Sequence, residues 1–295
     1  MKFLSITLFI IFIAVAGLTV MAPMMPSIMS KKEQAPLVIG VFPRRHQSVT
    51  VEIFNPLAHY LSKELGRRVY LISSPNFKKF WAGVKQRKYD IVHFNQYHYL
   101  RSKNNGYEVF AMNEEQGRST ITGSVIVRKD SGINSVQDLK GKRILFGGGP
   151  KAMQSFIYAT YLLRQGGLRD GDYEVRFANN PPSAIVNTYF KLYDVAAAGA
   201  GDIVLDLPIV GKQIDTSQLK ILTKGERFAH LPWAYKSELP TELKIKIQKV
   251  FLSLKKSQEG RKVLKKARLT NIVRAVDTDF DPHRRIVREV LGEIY

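Results

Sequence analysis

Cysteine is absent from all 295 residues of the chain. Its absence excludes disulfide bonds, a lipid-modified cysteine behind a leader segment, thiolate metal sites and a cysteine nucleophile. The chain does not need such cross-links, because roughly 260 residues behind the N-terminal segment can bury an ample core. Packing and hydrogen bonds must therefore hold the fold together.

Catalytic motifs are missing as well. The sequence has no clustered carboxylates, no serine-nucleophile motif and no Walker-type lysine after its glycine run. His93 and His98 stand near each other but lack the surroundings of a metal site, so we expect packed or solvated histidines. We therefore predict that the protein is not an enzyme and has no cofactor and no metal site.

Long apolar runs are missing everywhere except at the start. Residues 3–22 carry no charge, and a helix of that length would cover the roughly 30 Å hydrocarbon core of a bilayer. Residues 1–30 are therefore predicted to be a signal peptide or an N-terminal membrane anchor with a linker, and both alternatives stay open. In either case we expect the rest of the chain in the periplasm or at the outer face of the cytoplasmic membrane.

Acidic residues are few, with 25 Asp and Glu against 45 Lys and Arg, and the formal net charge is +20. Such a balance fits nucleic acid, an acidic membrane surface or an anionic ligand. Near the C-terminus Ile247, Val250 and Phe251 recur at helical spacing, so the neighbouring lysines are predicted on a solvated helix face. We expect no nucleic-acid partner, because an exported protein rarely meets one, whereas attraction to a membrane surface stays open.

Strands and helices alternate along the chain, which predicts an α/β fold with doubly wound sheets. A strand, a loop, a helix and a "YDIV" or "YDVA" strand follow one another in residues 37–95 and again in residues 143–200. Two α/β lobes are therefore expected. The final sixty residues are predicted to be helical.

Three glycines, Gly147 to Gly149, stand between a predicted strand and a predicted helix. Glycine tolerates positive φ and close approach of another molecule. A helix start also exposes unpaired N–H groups and the positive end of the macrodipole. The run is thus either an anion-binding turn or a tight structural turn, and the sequence leaves both open.

Several segments together resemble the phosphonate-binding-protein-like branch of type II periplasmic solute-binding proteins, the substrate-binding family of phosphate, phosphite and phosphonate ABC transporters. They are "IGVFP", "FNPLAHYLSKELGRRV", "VKQRKYDIVHFNQYHYL", "SVIVRKDSGINSVQDLKGKRILFGG", "YDVAAAG" and "SQEGRKVL". The resemblance runs from about Leu37 to Leu291. It implies a two-lobed α/β fold of the type II periplasmic-binding-protein kind with a ligand cleft between the lobes.

The resemblance also implies boundaries, partners and a site. Residues 37–122 and 228–295 would form lobe I, and residues 123–227 would form lobe II. The partners would be a small polar or anionic solute and the membrane subunits of an ABC importer; a membrane-anchored sensing module is the alternative. The ligand-binding residues implied are Arg44, Arg45, His46, Phe94, Asn95, Gln96, Tyr97, Thr122, Lys151, Gln154, Ser155 and Asn180.

The sequence departs from the family where a phosphonate would be held. The family's phosphonate binders carry a run of serine and threonine hydroxyls at the helix start, where this chain has Lys151, Ala152, Met153, Gln154 and Ser155. Each missing charge-assisted hydrogen bond is worth roughly 1.5 to 3 kcal/mol. We therefore expect simple alkylphosphonates to bind poorly.

Overall fold

The chain alternates strands and helices from Leu37 onwards. This computed structural model describes residues 34–295, so the predicted signal peptide or anchor lies outside the described residues. The strands are β1 (Leu37–Val41), β2 (Val69–Ser73), β3 (Ile91–His93), β4 (Tyr107–Glu114), β5 (Thr120–Ile121), β6 (Gly123–Arg128), β7 (Arg143–Gly147), β8 (Glu174–Ala178), β9 (Val195–Gly201), β10 (Leu219–Lys224), β11 (Phe228–Ala229), β12 (Pro232–Lys236) and β13 (Asn271–Arg274).

The helices pack against these strands. The α-helices are α1 (Gln47–Leu65), α2 (Phe77–Lys85), α3 (Gln96–Ser102), α4 (Ala159–Gln165), α5 (Pro181–Tyr189), α6 (Pro208–Gly211), α7 (Thr241–Ser253), α8 (Gln258–Ala267) and α9 (Asp281–Leu291). A π-helical turn, Met153–Tyr158, leads directly into α4. Among residues 34–295, no helix combines the length and the apolar character that a membrane crossing requires.

The strands form two larger sheets. The first has the order β13-β4-β12-β3-β1-β2, and the second has the order β10-β6-β9-β7-β8. In the first sheet β1 runs parallel to β2 and β3, and in the second sheet β7 runs parallel to β8 and β9. The carboxyl ends of these parallel strands are the places where α/β proteins bind ligands.

Two short strands carry the chain between the sheets. β5 lies between β4 of the first sheet and β6 of the second, and β11 lies on the return path; the two pair antiparallel. Arg227, next to β11, donates a hydrogen bond of 2.7 Å to the carbonyl of Thr120 on β5 and forms an ion pair with Asp202. This arginine therefore ties both crossing strands to the end of β9.

Helix α1 shows how the sequence directs packing. Ile53, Phe54, Leu57 and Leu61 are buried on one face, because residues three and four apart share a side of a helix. The helix ends at Gly66, whose φ of 68° is left-handed and suits glycine. The apolar face of α1 contributes to the core beside the first sheet.

The prediction that the last sixty residues are helical is wrong at one place. α7 buries Ile247, Val250 and Phe251 as expected, but α8 ends at Arg268 in the left-handed conformation, with φ of 61°. The following β13 pairs antiparallel with β4 at the edge of the first sheet. A four-residue strand with two β-branched residues was hidden between two strongly periodic helices.

Candidate functional site

A cleft of about 910 Å³ opens at the carboxyl ends of the parallel strands of both sheets. The segments after β1, β3, β7, β8 and β9 all contribute to its walls. The predicted ligand-binding residues that line this cleft are Arg44, Arg45, His46, Asn95, Gln96, Gln154, Ser155 and Asn180. The fold thus brings eight of the twelve predicted residues together around one cavity.

The glycine run shapes one wall of the cleft. A Cβ atom on Gly147 would lie 2.4 Å from the Cα atom of Pro181, so only glycine fits there. Gly148 and Gly149 have φ values of 94° and 90°, which favour glycine. The run therefore forms a tight turn that requires glycine, and Gly147 and Gly148 line the cleft.

The turn leads into π-helical geometry. The carbonyl of Ala152 accepts hydrogen bonds from the N–H groups of Phe156 at 3.0 Å and Ile157 at 3.1 Å. Single π-turns occur frequently at functional sites, because they re-aim the side chains at the start of a helix. Here the π-turn places Met153, Gln154 and Ser155 on the cleft wall.

Arg44 and Arg45 follow β1 and line the cleft, but their surroundings differ. The Nη1 atom of Arg44 lies 3.0 Å from the Oε1 atom of Glu115, so its charge is neutralised within the protein. Burial alone would raise the pKa of Glu115, but the charge of Arg44 and the neighbouring His230 and Arg45 together lower that pKa to about 2. Glu115 is therefore ionised at neutral pH.

Arg45 has no such partner. Its guanidinium forms neither a hydrogen bond nor an ion pair with any residue of the described range 34–295. Burial, together with repulsion from Arg44, lowers the pKa of Arg45 to about 9, so it stays cationic at neutral pH. The cleft thus contains a partly buried positive charge whose hydrogen-bonding capacity is unused.

The amide side chains in the cleft differ in how many of their atoms lack a hydrogen-bond partner. Asn95 caps α3 by accepting from the N–H of His98 at 2.7 Å, and its Nδ2 donates to the carbonyl of Lys151 at 3.0 Å. Gln96 donates from Nε2 to the carbonyl of Ala229 at 3.0 Å, which leaves its buried Oε1 without a partner. Gln154 has both amide atoms buried and unpartnered within the described residues.

Ser155 and Asn180 line the cleft, but their oxygens are engaged. The Ser155 hydroxyl donates to the carbonyl of Gly147. The Asn180 Oδ1 atom caps α5 by accepting from the Ser183 N–H at 2.9 Å. These hydrogen bonds hold the cleft wall in place. The Ser155 hydroxyl, at the helix start, therefore donates its hydrogen bond within the protein rather than to a ligand.

Phe94 and Tyr97 do not line the cleft. Phe94 is fully buried and packs edge-to-face on Phe80, with ring centroids 5.8 Å apart. Tyr97 is buried on α3, and its hydroxyl donates to Glu293 at 2.8 Å. Both rings belong to the buried core cluster that contains Phe80, Val92 and Leu100.

Thr122 and Lys151 also lie off the cleft wall. Thr122 is fully buried at the start of the second sheet, and its hydroxyl donates to the carbonyl of Gly123 at 3.2 Å. The Lys151 side chain is exposed at the tip of the glycine turn. The expectation of a lysine ammonium on the cleft wall therefore differs from the geometry, in which Lys151 contributes only its carbonyl to Asn95.

An apolar part of the cleft was missed by sequence reasoning. The segment after β9 supplies Ile203, Val204, Leu207, Pro208 and Ile209 to the wall. Such a run is indistinguishable from a core segment by pattern alone. Charged residues that were also missed are Glu115, Lys212 and Arg268.

Known proteins share this architecture. The chain is 24% identical over 282 residues to the phosphonates-binding periplasmic protein of Escherichia coli, which covers 87% of this chain and 77% of that protein. PhnD1 from Prochlorococcus marinus, solved with methylphosphonate, has a TM-score of 0.75 at 19% identity, covering 88% of this chain and 99% of that one. A Xanthomonas citri protein bound to ATP has a TM-score of 0.74 at 15% identity, covering 89% of this chain and 100% of that one. The predicted α/β fold of the type II periplasmic-binding-protein kind is confirmed.

A sequence model of one family matches residues 39–280, which is most of the chain; its description is ABC transporter, phosphonate, periplasmic substrate-binding protein. The match confirms the predicted class of function, an extracytoplasmic solute-binding protein of an ABC importer, and the predicted periplasmic location. It gives no support to the alternative of a sensing module. The chain therefore belongs to the family of periplasmic substrate-binding proteins of phosphonate ABC transporters.

Proposed function

We propose that this protein captures a small organic anion in the cleft, with Arg45 as its principal contact, and delivers it to the membrane subunits of an ABC importer. The observation that carries the proposal is the guanidinium of Arg45, which is partly buried and unpaired within residues 34–295. A buried charge without a partner is costly, so such a group is retained where a ligand completes it. A phosphonate, phosphate or carboxylate would accept two parallel hydrogen bonds from it.

The charges around Arg45 support an anion. Arg44, Arg45, Lys212 and Arg268 line the cleft together with a single carboxylate, that of Glu115. Positive side chains inside a concave surface concentrate anions and speed their association. The Oε1 atom of Gln96 and both amide atoms of Gln154, which have no partner within the described residues, would then orient the bound molecule through its remaining polar atoms.

The proposal includes a closing motion of two lobes. Residues 37–122 and 228–295 would move against residues 123–227, with β5 and β11 as the crossing strands. The two larger sheets support this division, because one takes its strands from the first set of residues and the other takes its strands from the second. A ligand that touches both walls stabilises the closed state by the contacts made only there.

We also propose that binding occurs without chemical change of the ligand. The family is one of transport proteins, and the serine that lines the cleft, Ser155, donates its hydroxyl to the carbonyl of Gly147 rather than to a base. Within residues 34–295 no three His, Asp or Glu side chains are grouped to hold a metal ion. Incubation with a bound phosphonate and recovery of the unaltered compound by mass spectrometry would test this point.

Calorimetric titration tests the function. We expect at least one anion from a panel of phosphate, sulfate, methylphosphonate, phenylphosphonate and ATP to bind to the wild-type protein. Arg45→Gln should weaken that binding at least tenfold, because a charge-assisted pair is worth about 1.5 to 3 kcal/mol. The matched control is Arg169→Gln, at an exposed position away from the cleft. Equal affinity in both variants and the wild type would overturn the role of Arg45.

A further inference from the structure

The cleft around Arg45 is mainly apolar. Val49 and Phe77, near the starts of α1 and α2, line one side of it, and Met153 lies on the π-helical wall. At the mouth, α6 and the residue before it present Leu207, Pro208 and Ile209. Ile209 is 50% exposed, although it is a large aliphatic side chain at the rim of a cavity. We call Leu207, Pro208 and Ile209 the apolar rim.

The size of the cleft exceeds what a small phosphonate needs. At about 30 Å³ for each water-sized atom, the five non-hydrogen atoms of methylphosphonate would occupy about 150 Å³. The cleft measures about 910 Å³, and cavities near that volume hold drug-sized molecules. In this conformation of the cleft, a bare phosphonate would therefore leave most of the apolar wall uncontacted.

Two polar groups that would suit a small oxyanion are already engaged within the protein. The Ser155 hydroxyl is occupied by Gly147, and Arg44 is occupied by Glu115. Arg45 and the Gln154 amide remain without hydrogen-bond partners within residues 34–295, and the basic side chains of Lys212 and Arg268 also line the cleft. Contact with the apolar wall would add affinity to these polar contacts in proportion to the apolar area removed from water.

We infer that the preferred ligand is an amphipathic organic anion, such as an aryl or long-chain alkyl phosphonate. Its anionic group lies on Arg45 and its apolar body lies along the apolar rim. This inference rests on the proposed function and specifies its substrate class. Because Arg45 follows β1 of the first sheet and Ile209 follows β9 of the second, one extended ligand contacts both walls of the cleft.

The experiment compares methylphosphonate, phenylphosphonate and octylphosphonate by calorimetric titration against the wild-type protein. The two larger anions should bind at least tenfold more tightly than methylphosphonate. Ile209→Ser should reduce that preference by roughly fivefold, because it removes apolar area from the rim. The matched control is Ile245→Ser on α7, where the side chain is 61% exposed and lies outside the cleft; it should leave all three affinities unchanged.

The outcomes separate this inference from the proposed function. If methylphosphonate binds as tightly as the larger anions, the apolar body plays no part; the substrate class is then overturned, while anion capture on Arg45 stands. If Ile209→Ser weakens all three anions equally, the rim does not recognise the apolar body and the inference is likewise overturned. If no anion binds to the wild-type protein, the proposed function fails together with the inference.

Discussion

Arg44 and Arg45 are adjacent arginines with opposite circumstances. The first neutralises Glu115, whose side chain is 10% exposed, and the second forms neither a hydrogen bond nor an ion pair within residues 34–295. An arginine that pairs with a carboxylate inside the protein stabilises the fold. An arginine kept for a ligand lowers the stability of the unliganded protein, because its charge has no partner until the ligand binds. The two positions therefore predict opposite effects on the free energy of unfolding.

Substituting each arginine by glutamine tests this difference. Arg45→Gln should raise the free energy of unfolding of the unliganded protein by about 1 kcal/mol, because it removes a poorly solvated charge. Arg44→Gln should lower it by about 2 to 3 kcal/mol, because the poorly solvated Glu115 carboxylate would lose its partner. Urea denaturation of both variants beside the wild type measures the effect. A comparable loss in both would show that Arg45 has a structural role.

Lys151 provides a second prediction at the residue scale. The sequence places a lysine at the helix start, where an anion would be favoured, but its side chain is exposed and does not line the cleft. Lys151→Ala should therefore change the affinity for an anion by less than about 0.5 kcal/mol, as surface substitutions do. Titration with the tightest anion of the panel checks this; a tenfold loss would place the ammonium in the site.

Among the structural elements, the turn between β7 and the π-helical turn depends most on glycine. A Cβ atom on Gly147 would meet the backbone of Pro181 at 2.4 Å, and backbone cannot yield as the end of a flexible side chain can. The close approach holds the Asn180 cap and the start of α5 beside the cleft wall.

Gly147→Ala should therefore destabilise the protein by about 1 to 3 kcal/mol, the usual cost of overpacking. The control is Gly211→Ala in α6, where nothing lies within 4 Å of the added Cβ atom and φ is not left-handed. That substitution should be neutral or stabilise by up to about 1 kcal/mol. Thermal unfolding of both variants decides the matter, and equal melting temperatures would contradict the packing argument.

At the scale of the whole molecule, four histidines are buried: His93, His98, His230 and His283. Burial is the main cause that lowers their pKa values below the ordinary 6.5, to about 3 for His98 and His283 and about 4 for His230; the pKa of His93 is also well below 6.5. On acidification the unfolded chain takes up these protons first. The contribution of these neutral histidines to the free energy of unfolding is therefore fully present above about pH 6.5 and is lost progressively towards pH 3.

His283 allows a test, because neither ring nitrogen has a hydrogen-bond partner within the described residues and the ring lies against Phe228 and Phe280. His283→Leu should reduce the slope of unfolding free energy against pH, between about pH 6 and 4, by up to about 1.4 kcal/mol per pH unit. Urea denaturation across that range measures it. His59→Leu, at an exposed position on α1, is the control; an unchanged slope for His283→Leu would mean that this ring is not protonated on unfolding.

The alternation of strands and helices follows from local spacing, and the membership of the family follows from short motifs, so both were accessible from the sequence. The eight lining residues were accessible only through the resemblance to that family. The same reasoning missed β13 and the apolar rim. The sequence of a short apolar run does not distinguish a segment that covers a core from one that pairs with an edge strand or faces a cavity. It also put Phe94 and Tyr97 at the ligand, whereas both pack in the core.

Only the tertiary structure decided whether each polar side chain in the cleft is paired within the protein or available to a ligand. Arg44 and Arg45 are equivalent candidates in the sequence, and the difference between them comes from Glu115, 71 residues after Arg44. Likewise, Ser155 is unavailable because the glycine turn brings the carbonyl of Gly147 to its hydroxyl. Spacing along a chain determines which residues reach a site, but a group is free for a ligand only if folding brings no partner to it.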